Sequence, residues 1–345
     1  MTVKTLASDP SSTGGRGEVM SGQTVTPRPI AMRDAFLERV WRAMADDGDI
    51  YFTCADFGSP VLDRIRGQFP DRFANVGIAE QNLINVSAGL AVEGFKVFAY
   101  AIAPFITMRC FEQIRVNLAL LSKVRPINVN LIGVGAGYSY VVSGPTHQCY
   151  EDLTVMRALP NVAIYSPADH VTAAALFDPC LANPGAKYLR LDAQVLPVVY
   201  RSQPPDLAHG FNVLRAGGRV CLIATGFMVH TALKVAEQLA QAGITVDVID
   251  FFDLSGFDAA GLRRQLTPYA GLVSLEEGFR GRGGLDALLF DFSARHRLQA
   301  RMLNLGVEGD YRFELGTRDQ LHEQVGIGLN AALRSVREFV QAVEA

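Results

Sequence analysis

The chain has 345 residues, of which 49% are apolar and 19% charged, and its formal net charge is −3. That balance suits buried globular layers rather than a disordered chain, and it gives no general field for nucleic acid or an anionic membrane. No apolar run reaches the roughly 20 residues that span a bilayer, so neither nucleic acid nor membrane is expected as a partner and a cytoplasmic location is expected.

Residues 1–28 are rich in Ser, Thr and Gly and lack an apolar h-region, so they read as a disordered tail and not as a secretory signal. From Pro29 onward, short apolar runs alternate with amphipathic helical stretches. Residues 32–45 put Phe36, Val40 and Met44 on one stripe, and Gly48 stops that helix. Residues 50–54 read as a strand, and a helical stretch opening near Glu80 carries Leu83, Ile84, Val86 and Leu90. Residues 97–100, 127–132, 162–165 and 188–191 read as buried strands with helices between them, the pattern of a parallel sheet covered on both faces. Residues 194–209, with Pro197, Pro204 and Pro205 in a polar context, read as a linker. The alternation then restarts at 220–224, 244–249, 272–275 and 302–305 and closes on a long helix near 327–343. The expectation is α/β: two doubly wound domains, a mostly parallel one at 29–193 and a smaller one at 210–345. The five cysteines, Cys54, Cys110, Cys149, Cys180 and Cys221, form no CxxC pair and read as buried, reduced thiols.

Three segments stand out from this scaffold. In Gly77-Ile-Ala-Glu80-Gln81-Asn82 a carboxylate opens a helix after a strand. It is either an ordinary first-turn acid favouring the helix dipole or, given apolar flanks, a partly buried carboxylate that needs a partner or a task. In the stretch from Phe105 through Met108 to Phe111, three large apolar side chains recur at helical spacing. They form either core or a wall for a flat ring, and periodicity does not choose between these. In Ser143-Gly-Pro-Thr-His147-Gln148 a tight turn presents a histidine after a strand and a glycine-rich loop, either as a solvated bystander or as a catalytic group at a strand's carboxyl end.

In this order and at these separations, the three segments resemble the transketolase and deoxyxylulose-phosphate synthase family, and the resemblance runs over nearly the whole chain from Pro29. Gly77-Ile-Ala-Glu80-Gln81 and Gly144-Pro-Thr-His147-Gln148 are its specific marks. The resemblance implies a pyrimidine-binding domain followed by a transketolase C-terminal domain, thiamine diphosphate as cofactor, and ketol transfer from a ketose to an aldose. It also implies roles. Glu80 holds a proton on N1′ of the cofactor's aminopyrimidine, Phe105 packs on the ring face, and Met108 and Phe111 complete the pocket, with Gln81 beside Glu80 and Asp56 near the cofactor. His147 faces the reacting carbons as hydrogen-bond donor or proton shuttle. Arg33 and Arg190 match positions that hold a sugar phosphate, and Ser143 stands where the family carries an acid. That departure, with Tyr138 and Tyr140 in a longer loop at 133–142, points to a modified or unusual ketose.

The family holds the cofactor's phosphates and Mg2+ with a Gly-Asp-Gly segment and a downstream Asn, and neither Asp47-Gly-Asp49 nor Gly309-Asp310 has that context. The resemblance therefore implies an N-terminal, diphosphate-binding partner subunit that supplies the Mg2+ ligands, an α2β2 assembly and a chain inactive alone. A 2-keto-acid decarboxylating subunit and a non-catalytic scaffold are the alternatives.

Overall fold

The computed structural model describes residues 28–344, so the expected tail lies outside the described residues save for its last position. Helix α1 (Met32–Asp46) buries Phe36, Val40 and Met44, the stripe its spacing predicts. Helix α2 (Pro60–Gln68) starts where Ser59 accepts a bond from Leu62 N, with proline in its first turn. The first sheet comprises β1 (Ile50–Cys54), β2 (Phe73–Asn75), β3 (Lys96–Ile102), β4 (Asn128–Val134), β5 (Val162–Tyr165) and β6 (Gly185–Leu191). Its order is β2-β1-β3-β4-β6-β5 and every pairing is parallel. The helices that link these strands include α3 (Glu80–Val92), α4 (Phe111–Ile114), α5 (Asp152–Arg157), α6 (His170–Ala175) and α7 (Phe177–Ala182). Strand order reverses between β1 and β3, and in open parallel sheets the crevice beyond the carboxyl ends at such a point is where ligands bind.

The second sheet comprises β7 (Phe211–Arg215), β8 (Val220–Ala224), β9 (Asp247–Phe251), β10 (Gly271–Phe279) and β11 (Arg301–Val307), in the order β11-β10-β8-β9-β7. Four of these strands are parallel, and β7 lies antiparallel on β9 as an edge. Helices α8 (Met228–Gln241), α9 (Ala259–Leu266), α10 (Leu285–His296), α11 (Arg318–Gln324) and α12 (Leu329–Glu344) cover it. The expected two-layered α/β architecture is therefore present twice. No described helix is long and apolar enough to cross a membrane.

The two sheets share core. One apolar cluster joins Leu153, Met156 and Ile164 from the first to Phe251, Leu254 and Leu285 from the second. The stretch at 194–209 has no regular structure but is held in place. Asp169 Oδ2 accepts bonds from Val199 N at 2.8 Å and Tyr200 N at 3.1 Å, and Leu196 and Val198 are buried.

Candidate active site

Three carboxyl-end connections of the first sheet converge. After β2, Asn75 turns its side-chain carbonyl back to accept from Asp56 N and from Gly77 N, both at 3.0 Å. This single amide ties the end of β1 to the turn before α3. Gly77 takes a left-handed φ of 75° there, a conformation that costs a glycine little. The chain re-enters a helix at Glu80, whose side chain is buried although it opens the helix. A buried Thr53–Ser87 hydroxyl contact at 2.9 Å fastens α3 to β1 behind it.

After β3 the chain winds as a π-helical turn over Phe105–Arg109, with Thr107 Oγ1 donating to Ala103 O at 2.7 Å. Cys110, at φ −117°, ends this winding before α4. The wider turn alters which side chains share a face. Phe105 is half-buried at the site, Met108 is turned to solvent, and Phe111 packs against the core. The single apolar wall expected at 105, 108 and 111 is corrected accordingly, because it assumed regular α-helical spacing.

Beyond β4 lies the histidine loop. Gly137 and Cys149 exchange both backbone hydrogen bonds at 2.9 Å, pinching the loop at its base. Gly144, at φ 68°, accepts from His147 N and Gln148 N at 3.1 Å, which makes the tight turn read from Gly-Pro-Thr-His. His147 stands edge-on to Phe105, with ring centroids 5.3 Å apart and planes at 69°, and its Nδ1 lies 3.0 Å from Thr146 Oγ1.

Glu80, Phe105 and His147 are thus brought to one place, and a fourth residue joins them. Arg109 Nη1 donates to Glu80 Oε2 at 2.7 Å while its guanidinium lies 4.3 Å above the Phe105 ring. The carboxylate is 3% exposed and the arginine 44%, so the cation is mobile where the anion is not. A buried carboxylate needs such a partner. Sequence reading passes over Arg109, for which the one signal is a cation four residues after Phe105.

The remaining expected residues fall variously. Asp56 is exposed at the end of β1, at an unusual φ of 44°, within the Asn75 clamp. Gln81 and Ser143 are exposed. Arg33 is half-buried on α1 and donates to Asp34 at 2.8 Å. Arg190 is corrected. It is 2% exposed, Nε donates to Asp152 at 2.8 Å and Nη2 to Glu277 O at 3.0 Å, so it is committed inside the protein and does not face a ligand. Burial pushes the Cys110 thiol up to about 12, and all five cysteines are buried and unpaired, as expected of inert thiols.

The donor set fits the aminopyrimidine end of thiamine diphosphate. It offers a buried carboxylate for a ring nitrogen, an aromatic edge for the ring and an imidazole beyond. Among the described residues no group of three His, Cys, Asp or Glu side chains could hold a metal ion.

Comparison with known proteins agrees with this arrangement. The "Transketolase, pyrimidine binding domain" family matches residues 28–198, and the "Transketolase, C-terminal domain" family matches 210–331. One of the two apulose-4-phosphate transketolase subunits of Actinobacillus succinogenes is 31% identical over 298 residues, covering 86% of this chain and 94% of that protein. A 6-deoxy-6-sulfo-D-fructose transketolase subunit of a Clostridium species is 28% identical over 311 residues, covering 90% and 94%. Among solved structures, a split-gene transketolase in an inactive β4 tetramer superposes with a TM-score of 0.79 at 28% identity, covering 91% of this chain and 99% of that one. The chain belongs to the transketolase family, and it resembles that family's separately encoded C-terminal subunits, which join a pyrimidine-binding domain to a C-terminal domain.

Proposed function

We propose that this chain is the pyrimidine-gripping subunit of a thiamine-diphosphate-dependent transketolase, moving a two-carbon ketol unit from a ketose to an aldose. The observation that carries this reading is the convergence of buried Glu80, Phe105 and His147 beyond the parallel strands, next to the switch between β1 and β3. Glu80 holds a proton at the ring's N1′, a task for which a desolvated carboxylate is suited because its charge-assisted bond strengthens away from water. Phe105 supports the ring face. His147 moves a proton to and from the sugar oxygen at the reacting carbon. When bound, the cofactor supplies the electron sink for breaking the bond beside the carbonyl.

A diphosphate-binding N-terminal subunit completes the site and supplies the Mg2+ ligands in an α2β2 assembly. This is supported by the likeness to subunits of two-part transketolases. The substrate is a ketose that departs from the common sugar phosphates. Exposed Ser143 stands in place of the family's acid, and Arg33, half-buried on α1, is the remaining candidate for an anionic tail. The buried free cysteines support a reducing cytoplasm.

The test is calorimetric titration of thiamine diphosphate and Mg2+ into the chain alone and into its mixture with an N-terminal-type subunit, using wild type and Glu80→Gln. The expected result is tight binding in the mixture alone and ketose cleavage lost in Glu80→Gln. No cofactor binding in the mixture, or normal turnover by the Gln variant, overturns the reading. Turnover of pyruvate but not of ketoses moves the chain to the decarboxylating branch.

A further inference from the structure

The C-terminal domain reaches the histidine loop through a buried cluster of charges. Glu277, near the end of β10 and 1% exposed, accepts from Arg318 Nε at 2.9 Å and Nη2 at 2.6 Å, has His322 Nε2 at 2.7 Å, and accepts from the backbone N–H of Tyr138 at 3.2 Å. Arg318 is 5% exposed. Its third nitrogen lies 2.7 Å from Asp192, just past β6, and its guanidinium plane sits 3.6 Å from the Phe227 ring centre. Burial alone raises a carboxylate's pKa, yet Arg318 and His322 hold Glu277 well below the usual range, so it stays an anion.

What this anion grips is the start of the loop. Tyr138 donates its N–H to Glu277 and wedges its ring between Tyr150, at 4.7 Å, and His322, at 5.3 Å. The Gly137 backbone lies against the Glu277 carboxylate with no room for a Cβ. Gly137 also pairs with Cys149, so both stems of the loop are fixed at one point, 10 residues before and two after His147.

We infer that Glu277, with Arg318 and His322, is a positioning device. The C-terminal domain sets the height and angle of the loop that aims His147 at the substrate, and so tunes the reaction without touching it. This rests on the catalytic role proposed for His147. Isolated buried ion pairs often add little net stability, and replacing them with apolar groups is frequently neutral. A cluster that ends on a backbone N–H in the loop has a geometric use instead.

The test compares wild type, Glu277→Gln and Tyr138→Leu in the reconstituted two-subunit enzyme. Tyr138→Leu removes the wedge and leaves the ion pairs intact, so it stands in if the first variant fails to fold. Turnover, thiamine diphosphate affinity and amide hydrogen exchange are measured together. The inference expects kcat to fall by about tenfold to a hundredfold, as a displacement of roughly 1 Å does. It expects cofactor affinity within about twofold of wild type, because Glu80 and Phe105 are untouched. Faster exchange should be confined to residues 138–148, with β1, β3 and β4 unchanged. Wild-type kcat with wild-type loop exchange overturns the inference. So does a variant in which sheet protection and cofactor affinity fall along with kcat, or failure of both variants to fold, since the cluster then supports the whole fold and not the loop. If the wild-type pair binds no thiamine diphosphate, the proposed function fails while the exchange comparison still decides the positioning role.

Discussion

At the scale of single residues, the pair Glu80 and Arg109 has the most direct consequence. Removing the guanidinium leaves a carboxylate that is 3% exposed without its cation. Hydrogen bonds to charged groups contribute about 1.5–3 kcal/mol, and the half-open position of Arg109 reduces this to about 1 kcal/mol. Arg109→Ala should therefore lower the melting temperature of the chain alone by roughly 2–4 °C, and Arg109→Lys by less. Thermal melts followed by circular dichroism check this, and an unchanged Arg109→Ala melt would show that Glu80 is satisfied by other means. Glu80 itself is legible in the sequence, because a carboxylate opening a helix among apolar flanks invites the question of its partner. Arg109 is not, since its pairing spans 29 residues and depends on a π-helical turn that no periodicity announces. Arg190 misleads for the complementary reason: an arginine destined for a buried ion pair and one destined for a ligand are the same letter.

At the scale of elements, strand and helix alternation reads well because parallel strands buried on both faces are near-continuous apolar runs. The misses are short or half-exposed. Strand β2 has three residues, none of them fully buried, and edge strand β7 is mostly half-buried. Two further expectations belong at this scale. Asp250, on β9, is fully buried and receives a bond from Tyr200 of the connecting stretch at 2.7 Å. Burial pushes its carboxyl up to about 7 from 3.8. The folded state therefore keeps a proton that the unfolded chain gives up, and this carboxyl costs stability as pH rises from about 4 to 7. Asp250→Asn should stabilise the protein by about 1–2 kcal/mol at pH 8 and leave it unchanged near pH 4. Urea melts at the two pH values measure the gap, and an equal gap at both would show that the carboxyl is ionised in the fold. Gly137, at φ 54° against Glu277, admits no side chain. Gly137→Ala should cost about 1–3 kcal/mol from strain and overpacking, read as a lower urea midpoint with an unchanged slope.

At the scale of the whole molecule, several large apolar side chains near the site face solvent. Ile78, two residues before Glu80, is 77% exposed, and Val142, in the histidine loop, is also 77% exposed. Leu315, beside Gly144, is 62% exposed and Phe313 is 78% exposed. Patches of this kind mark surfaces that another protein covers. With the N-terminal-type subunit as that partner, Ile78→Asp should weaken assembly by at least about tenfold, the consequence of burying a charge in an interface. The melting temperature of the isolated chain should stay within about 1 °C, because an exposed side chain is being changed. Light scattering of the mixture checks the first outcome and calorimetry the second. The two-domain plan is legible from the restart of alternation after residue 209. The contact between the domains is not, because its anchor joins positions 139 residues apart.

That separation has a bearing on how the protein comes into being. The strands of the first sheet are all made by residue 191, and their core can begin to form while the chain is still emerging from the ribosome. The loop that carries His147 has no such independence, because its anchor at 277 and the side chains at 318 and 322 that complete it are synthesised much later. Its final shape is consequently among the last things the nascent chain acquires, so a ribosome that stalls in the second half leaves a well-folded sheet with an unset histidine.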